Sequence, residues 1–204
     1  MPNLAFTTEL DAVNEMLVSI GQAPVNTLAI SGIRDVNIAR AELTKVSRQV
    51  QLIGWHWNTD EGYPLQPDID GLIGTPDGLL KFEPMDRYRA LVQRRHVTKG
   101  LALYDKDALT FEFSEPVPIR AVWGFPFDDL PESARNYIAI SAARKFQATT
   151  IGSRELDGFK AEDEQRAWTT LLRDERGSRN TNMFHRNKGL QRLYNRSTYT
   201  RSYP

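Results

Sequence analysis

The stretch Asp35 to Tyr63, DVNIARAELTKVSRQVQLIGWHWNTDEGY, decides how the chain folds. Its apolar residues Ala39, Leu43, Val46, Val50 and Ile53 recur in alternating steps of four and three, which is one side of an α-helix. Arg40, Glu42, Lys45 and Arg48 fall off that stripe, so the spacing predicts a helix over 35–53 with one wet face. Such a helix is roughly 28 Å long at 1.5 Å per residue. Gly54 then ends it, and the period drops from 3.6 to 2, with Trp55 and Trp57 alternating with His56 and Asn58. That alternation reads as a strand. Trp55 and Trp57 are the expected layer-joining core residues, where a helical body meets a β domain.

Upstream, Thr8 and Asp11 have the spacing of a capping box, and Leu10, Val13, Leu17 and Ile20 form the next apolar face. Gly21 stands where a left-handed closing residue belongs, and Pro24 prevents the helix from resuming. Downstream, short apolar runs at 79–82, 88–97, 101–104, 109–113 and 119–123 are separated by turn residues such as Thr75-Pro76-Asp77-Gly78. The second and third runs form a predicted hairpin across Thr98-Lys99-Gly100. The Gly- and Pro-rich stretch 60–81 reads as an ordered excursion rather than a strand.

Helical patterning returns at Asp128-Asp129-Leu130-Pro131-Glu132, with acidic residues and a proline at a helix start. Ala134, Tyr137, Ile138, Ser141, Ala142 and Phe146 form its stripe, and Thr149 to Ser153 breaks the pattern. A fourth helix is expected from Glu155 to Glu175, with Ala161, Gln165, Trp168, Leu171 and Leu172 on one side and Gly177 ending it. The predicted class is therefore α+β. N-terminal (1–54) and C-terminal (128–177) helix pairs form a four-helix bundle, with an inserted antiparallel β domain (55–127) and an extended C-terminal arm (178–204).

Composition bounds the chemistry. A chain of 204 residues with 40% hydrophobic and 25% charged residues is ordinary for one folded domain or a domain with an insertion. No apolar run approaches the ~20 residues that span a bilayer, so no membrane anchor is expected. MPNLAFTTELDAV lacks a basic start and an apolar core, so no signal peptide is expected either. There is no cysteine, which rules out disulfides, thiolate metal sites and a Cys nucleophile. The net charge is zero but uneven. The last 27 residues hold six of the 26 basic residues and no acidic one, leaving 20 basic against 26 acidic in the rest.

His56, His96 and His185 lack metal-ligand spacing, so no metal and no cofactor is expected. Asp60-Glu61, Asp68/Asp70, Asp105/Asp107 and Asp128-Asp129 are the residue pairs a glycan hydrolase would use as acid and base. All four sit at turns or a helix start, where Asp is favoured for its own backbone hydrogen bonds, so the structural reading is preferred. No phosphate-binding loop or nucleophile elbow occurs. The arm interleaves Arg179, Arg186, Lys188, Arg192, Arg196 and Arg201 with Phe184, Tyr194, Tyr199 and Tyr203, the expected partner or oligomer contacts. Three readings stay open for it: nucleic-acid binding through phosphate and base stacking, ordering on an acidic protein surface, or a solvated terminus.

Three segments resemble the tail tubular protein A family of short-tailed, podovirus-type bacteriophages: ELDAVNEMLVSIGQAPVNTL, NIARAELTKVSRQVQLIGWHWNTDEGYPLQPD and DLPESARNYIAISAARKFQATTIGS. The shared marks are Ile20-Gly21-x-x-Pro24-Val25, Gly54-Trp55-x-Trp57-Asn58, and Leu130-Pro131-Glu132 followed by Ala142-x-x-x-Phe146. The resemblance implies a non-catalytic virion protein, an adaptor or gatekeeper between head and tail. Its expected form is a twelve-membered homo-oligomeric ring beneath the portal protein, carrying a tail nozzle of the tail tubular protein B kind. Tail fibre is a further candidate contact. DNA would pass through the channel without sequence-specific binding, and assembly would take place in the host cytoplasm. The rival functions are a virion-associated glycan hydrolase and a nucleic-acid binder acting through the basic arm.

Overall fold

The computed structural model describes residues 5–29, 32–86, 89–150 and 154–178, with side chains in the last span described from residue 161 onward. The helices are α1 (Glu9–Ser19), α2 (Arg34–Gln51), α3 (Glu132–Thr150) and α4 (Arg154–Ser178). Between α2 and α3 run β1 (Thr59–Leu65), β2 (Leu79–Pro84), β3 (Leu91–His96), β4 (Gly100–Asp105) and β5 (Val117–Trp123). Among the described residues the fold is an α+β mixture of four helices and antiparallel sheets.

Local chemistry sets the helix ends. Thr8 Oγ1 accepts the Asp11 amide at 3.2 Å, and Asp11 Oδ2 accepts the Thr8 amide at 3.0 Å, so the capping box of α1 is complete. Bonding to Thr8 holds the Asp11 carboxyl below its usual range. At the other end Gly21 turns left-handed at φ +78°, and the amides of Gly21 and Gln22 reach back to Val18 and Leu17. That pairing satisfies the carbonyls a helix end leaves open. α3 opens on the Pro131 carbonyl, which accepts the amides of Ala134 and Arg135.

α3 packs against α1, α2 and α4. Its buried residues therefore spread beyond the expected stripe to Arg135, Ala139, Ala143 and Gln147. Alanines at 134, 139, 142 and 143 let neighbouring helices approach on several sides. Val13 and Leu17 of α1, Leu43 and Val46 of α2, Ile138 and Phe146 of α3, and Leu171 of α4 share one apolar interior. Leu172 and Trp168 pack against it. The buried Arg135 guanidinium donates to the carbonyls of Leu130 (2.6 Å), Thr7 (3.0 Å) and Asp128, and faces the Phe6 ring. It thereby ties the N-terminal segment to the entrance of α3.

The first sheet has the order β1-β5-β2, with β5 central and all pairs antiparallel. β3 and β4 form the second, a hairpin turning through Gly100 at φ +72°. The two share a smaller apolar cluster that includes Leu65, Ile73, Leu103, Phe113 and Ile119.

Several sequence expectations are corrected. Trp55 to Asn58 is not strand: His56–Asn58 is a 3-10 turn, and the first strand starts at Thr59. Asn58 Oδ1 takes the Trp55 amide at 2.7 Å, and this local bond overrides the alternating pattern. α2 stops at Gln51, so Ile53 leaves the stripe and is 54% exposed. The stretch expected as an excursion contains β1, an edge strand whose register shifts around Glu61-Gly62, with Gly62 at φ +75°. A bulge and Pro64 suit an edge and hide the strand from pattern reading. The run 109–113 is no strand: Leu109 is left-handed (φ 55°), and Thr110 and Glu112 make single bridges. α4 continues through Gly177 to Ser178, and Gln165 is exposed because the helix's buried line runs through Ala167, Leu171 and Glu175.

Candidate interaction surfaces

Where helices meet sheet, the contact is polar. Gln51 closes a two-way bond with Phe125: its Nε2 donates to the Phe125 carbonyl at 3.0 Å, and its Oε1 accepts the Phe125 amide at 2.7 Å. The Asn58 Nδ2 bridges the carbonyls of Gln51 (2.9 Å) and Trp123 (2.8 Å). Both side chains are buried, and their amides pair with main chain that would otherwise be orphaned. Gly54, at φ +81°, lies so close to the sheet that an added Cβ would stand 3.2 Å from Val122 Cγ2. Gln51, Asn58 and Gly54 make the helix–sheet joint.

Trp55, Trp57 and Trp168 lie on the helical side of that joint. Trp55 donates its Nε1 to the Val50 carbonyl at 2.8 Å and meets the Trp168 ring edge-on at 5.5 Å. Trp57 is half-buried against the same interior. The missed residues Gln51 and Asn58 carry no periodic signal, because an amide in a helix end or turn looks like any polar surface position.

The paired carboxylates do not converge. Asp60 accepts Trp123 Nε1 at 2.8 Å, and Glu61 faces Arg120 at 2.9 Å. Asp68 pairs with Lys99 and caps the amides of Asp70 and Leu72. Asp105 takes the amides of Asp107 and Ala108 and pairs with Arg89 at 3.1 Å. Asp107 takes the Ala90 amide, and Asp128 the Glu9 amide. Lys99, together with the Leu72 amide, holds the Asp68 carboxyl below its ordinary range. The Ala108 amide, with Arg89, does the same for Asp105. A glycosidase acid needs a raised value instead. Asp68 and Asp105 act as turn clamps. Asp60 and Glu61 lie in β1 rather than at the expected turn and bond across to β5. Asp107 and Asp128 tie distant segments together.

His56 is exposed, and its main-chain amide donates to Glu175 Oε1 at 2.8 Å. His96 lies against Phe111 at 4.9 Å. Among the described residues, no group of three or more His, Asp or Glu is placed to hold a metal ion. No described helix is long and apolar enough to cross a membrane.

Three features mark the surface of the described residues. A cleft of about 380 Å³ separates α2 from the segments flanking β2 and β5, lined by Leu43, Ser47, Arg48, Leu80 and Phe125. In the β part, Ile69 and Val97 are 100% and 98% exposed, on turns joined by the Lys99–Asp68 pair. The third is a groove between α3 and α4, lined by Asn136 and Thr170. The expected contacts Arg179, Phe184, Arg186, Lys188, Arg192, Tyr194, Arg196, Tyr199, Arg201 and Tyr203, and His185 with them, lie outside the described residues.

The family model described as "Tail tubular protein" matches residues 10–181, from α1 through the β part to just past α4. Tail tubular protein A of Klebsiella phage KP34 is 25% identical over 166 residues, covering 81% of this chain and 86% of that protein.

Proposed function

The chain belongs to the tail tubular protein family, and on that premise we propose that it is the adaptor ring between head and tail. It is a structural component of a bacteriophage tail. In the proposed role, copies contact one another side to side through heterologous surfaces, the contact type that closes a ring. Twelve copies would sit beneath the portal protein and carry the nozzle, with DNA leaving through the channel and tail fibre as a further contact.

The helix pairs 1–54 and 128–177 are read as a four-helix bundle that forms the ring body, and 55–127 as the insertion that faces the nozzle. The layer-joining tryptophans 55 and 57 belong to that body. The arm 178–204 is read as the contact with the portal or a neighbouring subunit, and assembly is placed in the host cytoplasm. One observation carries the reading: the family match spans helices and β part together, so the shared unit is the whole scaffold rather than a local motif. The turn-clamp role of Asp68 and Asp105 supports a non-catalytic protein.

Native mass measurement tests the proposal. The expected result is the 23.3 kDa monomer alone and twelve copies per portal ring after mixing. No association with portal-bearing heads contradicts it. Deletion of residues 178–204 should leave a folded monomer that no longer joins those heads, and normal assembly of the truncated chain would exclude the arm from the contact.

A further inference from the structure

Among the described residues, β1, β2 and β3 each pair on one side alone. Two of these edges are blunted. β1 is bulged between Asp60 and Tyr63 and carries Pro64. β2 slips register between Leu79 and Lys81 and ends at Pro84. Both devices discourage a further strand from pairing. β3 has neither, and its register with β4 runs unbroken from Leu91↔Asp105 to His96↔Gly100.

The open side of β3 follows from its neighbour. β4 is bonded on its far side to residues 73–75: the Leu103 amide donates to the Ile73 carbonyl at 2.8 Å, and the Leu101 carbonyl accepts the Thr75 amide at 2.9 Å. Main-chain groups alternate sides along a strand, so Ala102 and Tyr104 turn theirs toward β3, onto Arg94 and Val92. The amides and carbonyls of Gln93 and Arg95 therefore point away from β4, where no described residue takes them.

Side chains decide what fits there. Arg94 and Arg95 are exposed and form no ion pair among the described residues. The acids beside β3 are already engaged, Asp105 by Arg89 and Asp107 by the Ala90 amide. The Tyr104 ring, 4.2 Å from the Arg94 guanidinium, holds that side chain in place. Consecutive strand residues lie on opposite faces, so the two arginines flank the edge from both sides. A second β3 would bring like charges together, which disfavours self-pairing. A strand with two consecutive carboxylates would meet one arginine on each face.

We propose that β3 is a docking edge for an extended segment of another protein that carries two consecutive acidic residues. The segment adds as a strand: its main chain bonds the outward groups of Gln93 and Arg95, and its carboxylates meet the two arginines. The edge lies within one subunit, so its test is separate from ring formation.

The probe is a synthetic peptide of threonine and valine with two central glutamates, mixed with the whole chain at about 0.01 M salt. With peptide at about four times its dissociation constant, exchange of the Gln93 and Arg95 amides with water should slow about fivefold, because only the free form exchanges. The Val92 and Arg94 amides, already in the ladder, should not change. A peptide with lysines in place of the glutamates should bind about tenfold more weakly or worse. Arg95→Pro removes an outward amide and spares the β3–β4 ladder, so it should abolish the slowing at Gln93. Arg95→Glu, the second variant, should reverse the preference between the two peptides, with the fold of both variants checked through the Ala102 and Tyr104 amides. No binding up to about 10 mM peptide would overturn the proposal. So would binding that leaves Gln93 and Arg95 exchange unchanged, or equal affinity for the lysine peptide. Tighter binding of a single-stranded oligothymidylate than of the glutamate peptide would also overturn it, giving the edge to nucleic acid.

Discussion

The helical body buries Phe146, Met16, Leu43 and Ile138 completely, while the β part, among the described residues, buries only Ile73 and Ile119 to that degree at comparable size. The β part compensates with polar clamps: Asp68 and Asp105 each cap two amides and hold one cation. Packing thus dominates one region and turn electrostatics the other, and the Gln51–Asn58 amides couple them. The difference teaches where each region is vulnerable: the body to lost volume, the β part to lost charge.

The largest expected effect is in the body. Phe146→Ala should lower unfolding free energy by about 3–5 kcal/mol, read from a denaturant midpoint, because a fully buried ring leaves a cavity. A loss below about 1 kcal/mol would mean that the four helices do not share a tight interior. Next comes the joint. Asn58→Ala strands the Trp55 amide and one bond each to Gln51 and Trp123, an expected cost of about 2–3 kcal/mol. Unfolding should then split, the β part melting before helical ellipticity falls. A single unchanged transition would break the idea that this amide couples the two regions.

Acid should separate the regions too. Among the described residues, Asp68, Glu83 and Asp105 of the β part have depressed values, for Glu83 chiefly through Lys81, against Asp11 alone in the body. A depressed folded-state value stabilises above the unfolded carboxylate range and is lost as pH falls through the folded value. The β part should therefore loosen from about pH 4 downward, ahead of the helices. Asp105→Asn should flatten that pH dependence, followed through β3–β4 resonances. Simultaneous loss of both regions would contradict the division. Smallest is Arg40→Ala, which removes an exposed pair with Glu9 at 2.8 Å and should cost under about 1 kcal/mol in the same denaturant assay.

Legibility followed the same division. The body was readable because burial repeats along a helix: Val13, Leu17, Leu43, Val46, Ile138 and Phe146 are where periodicity placed them. The β3–β4 hairpin was readable from its Gly100 turn. β1 was not, because a bulge and Pro64 erase alternation, and the Trp-x-Trp strand failed because one Asn58 bond outweighs a three-residue pattern. The joint was illegible for a physical reason. Gln51 and Asn58 act on main chain from distant segments, Phe125 and Trp123, and nothing local marks such a pair. The surfaces were only half legible: acidic turns were visible in sequence, but the groove exists only once α3 lies beside α4.

The central claim is that the β part is seated on the helical body through buried amides rather than hung from a loop. Residue-resolved hydrogen exchange on the native chain tests it at one atom, the Phe125 amide that Gln51 accepts. The account predicts Phe125 protection within about tenfold of the slow α3 amides around Ile138 and Phe146. Exchange of Phe125 at the rate of an open surface loop would contradict it.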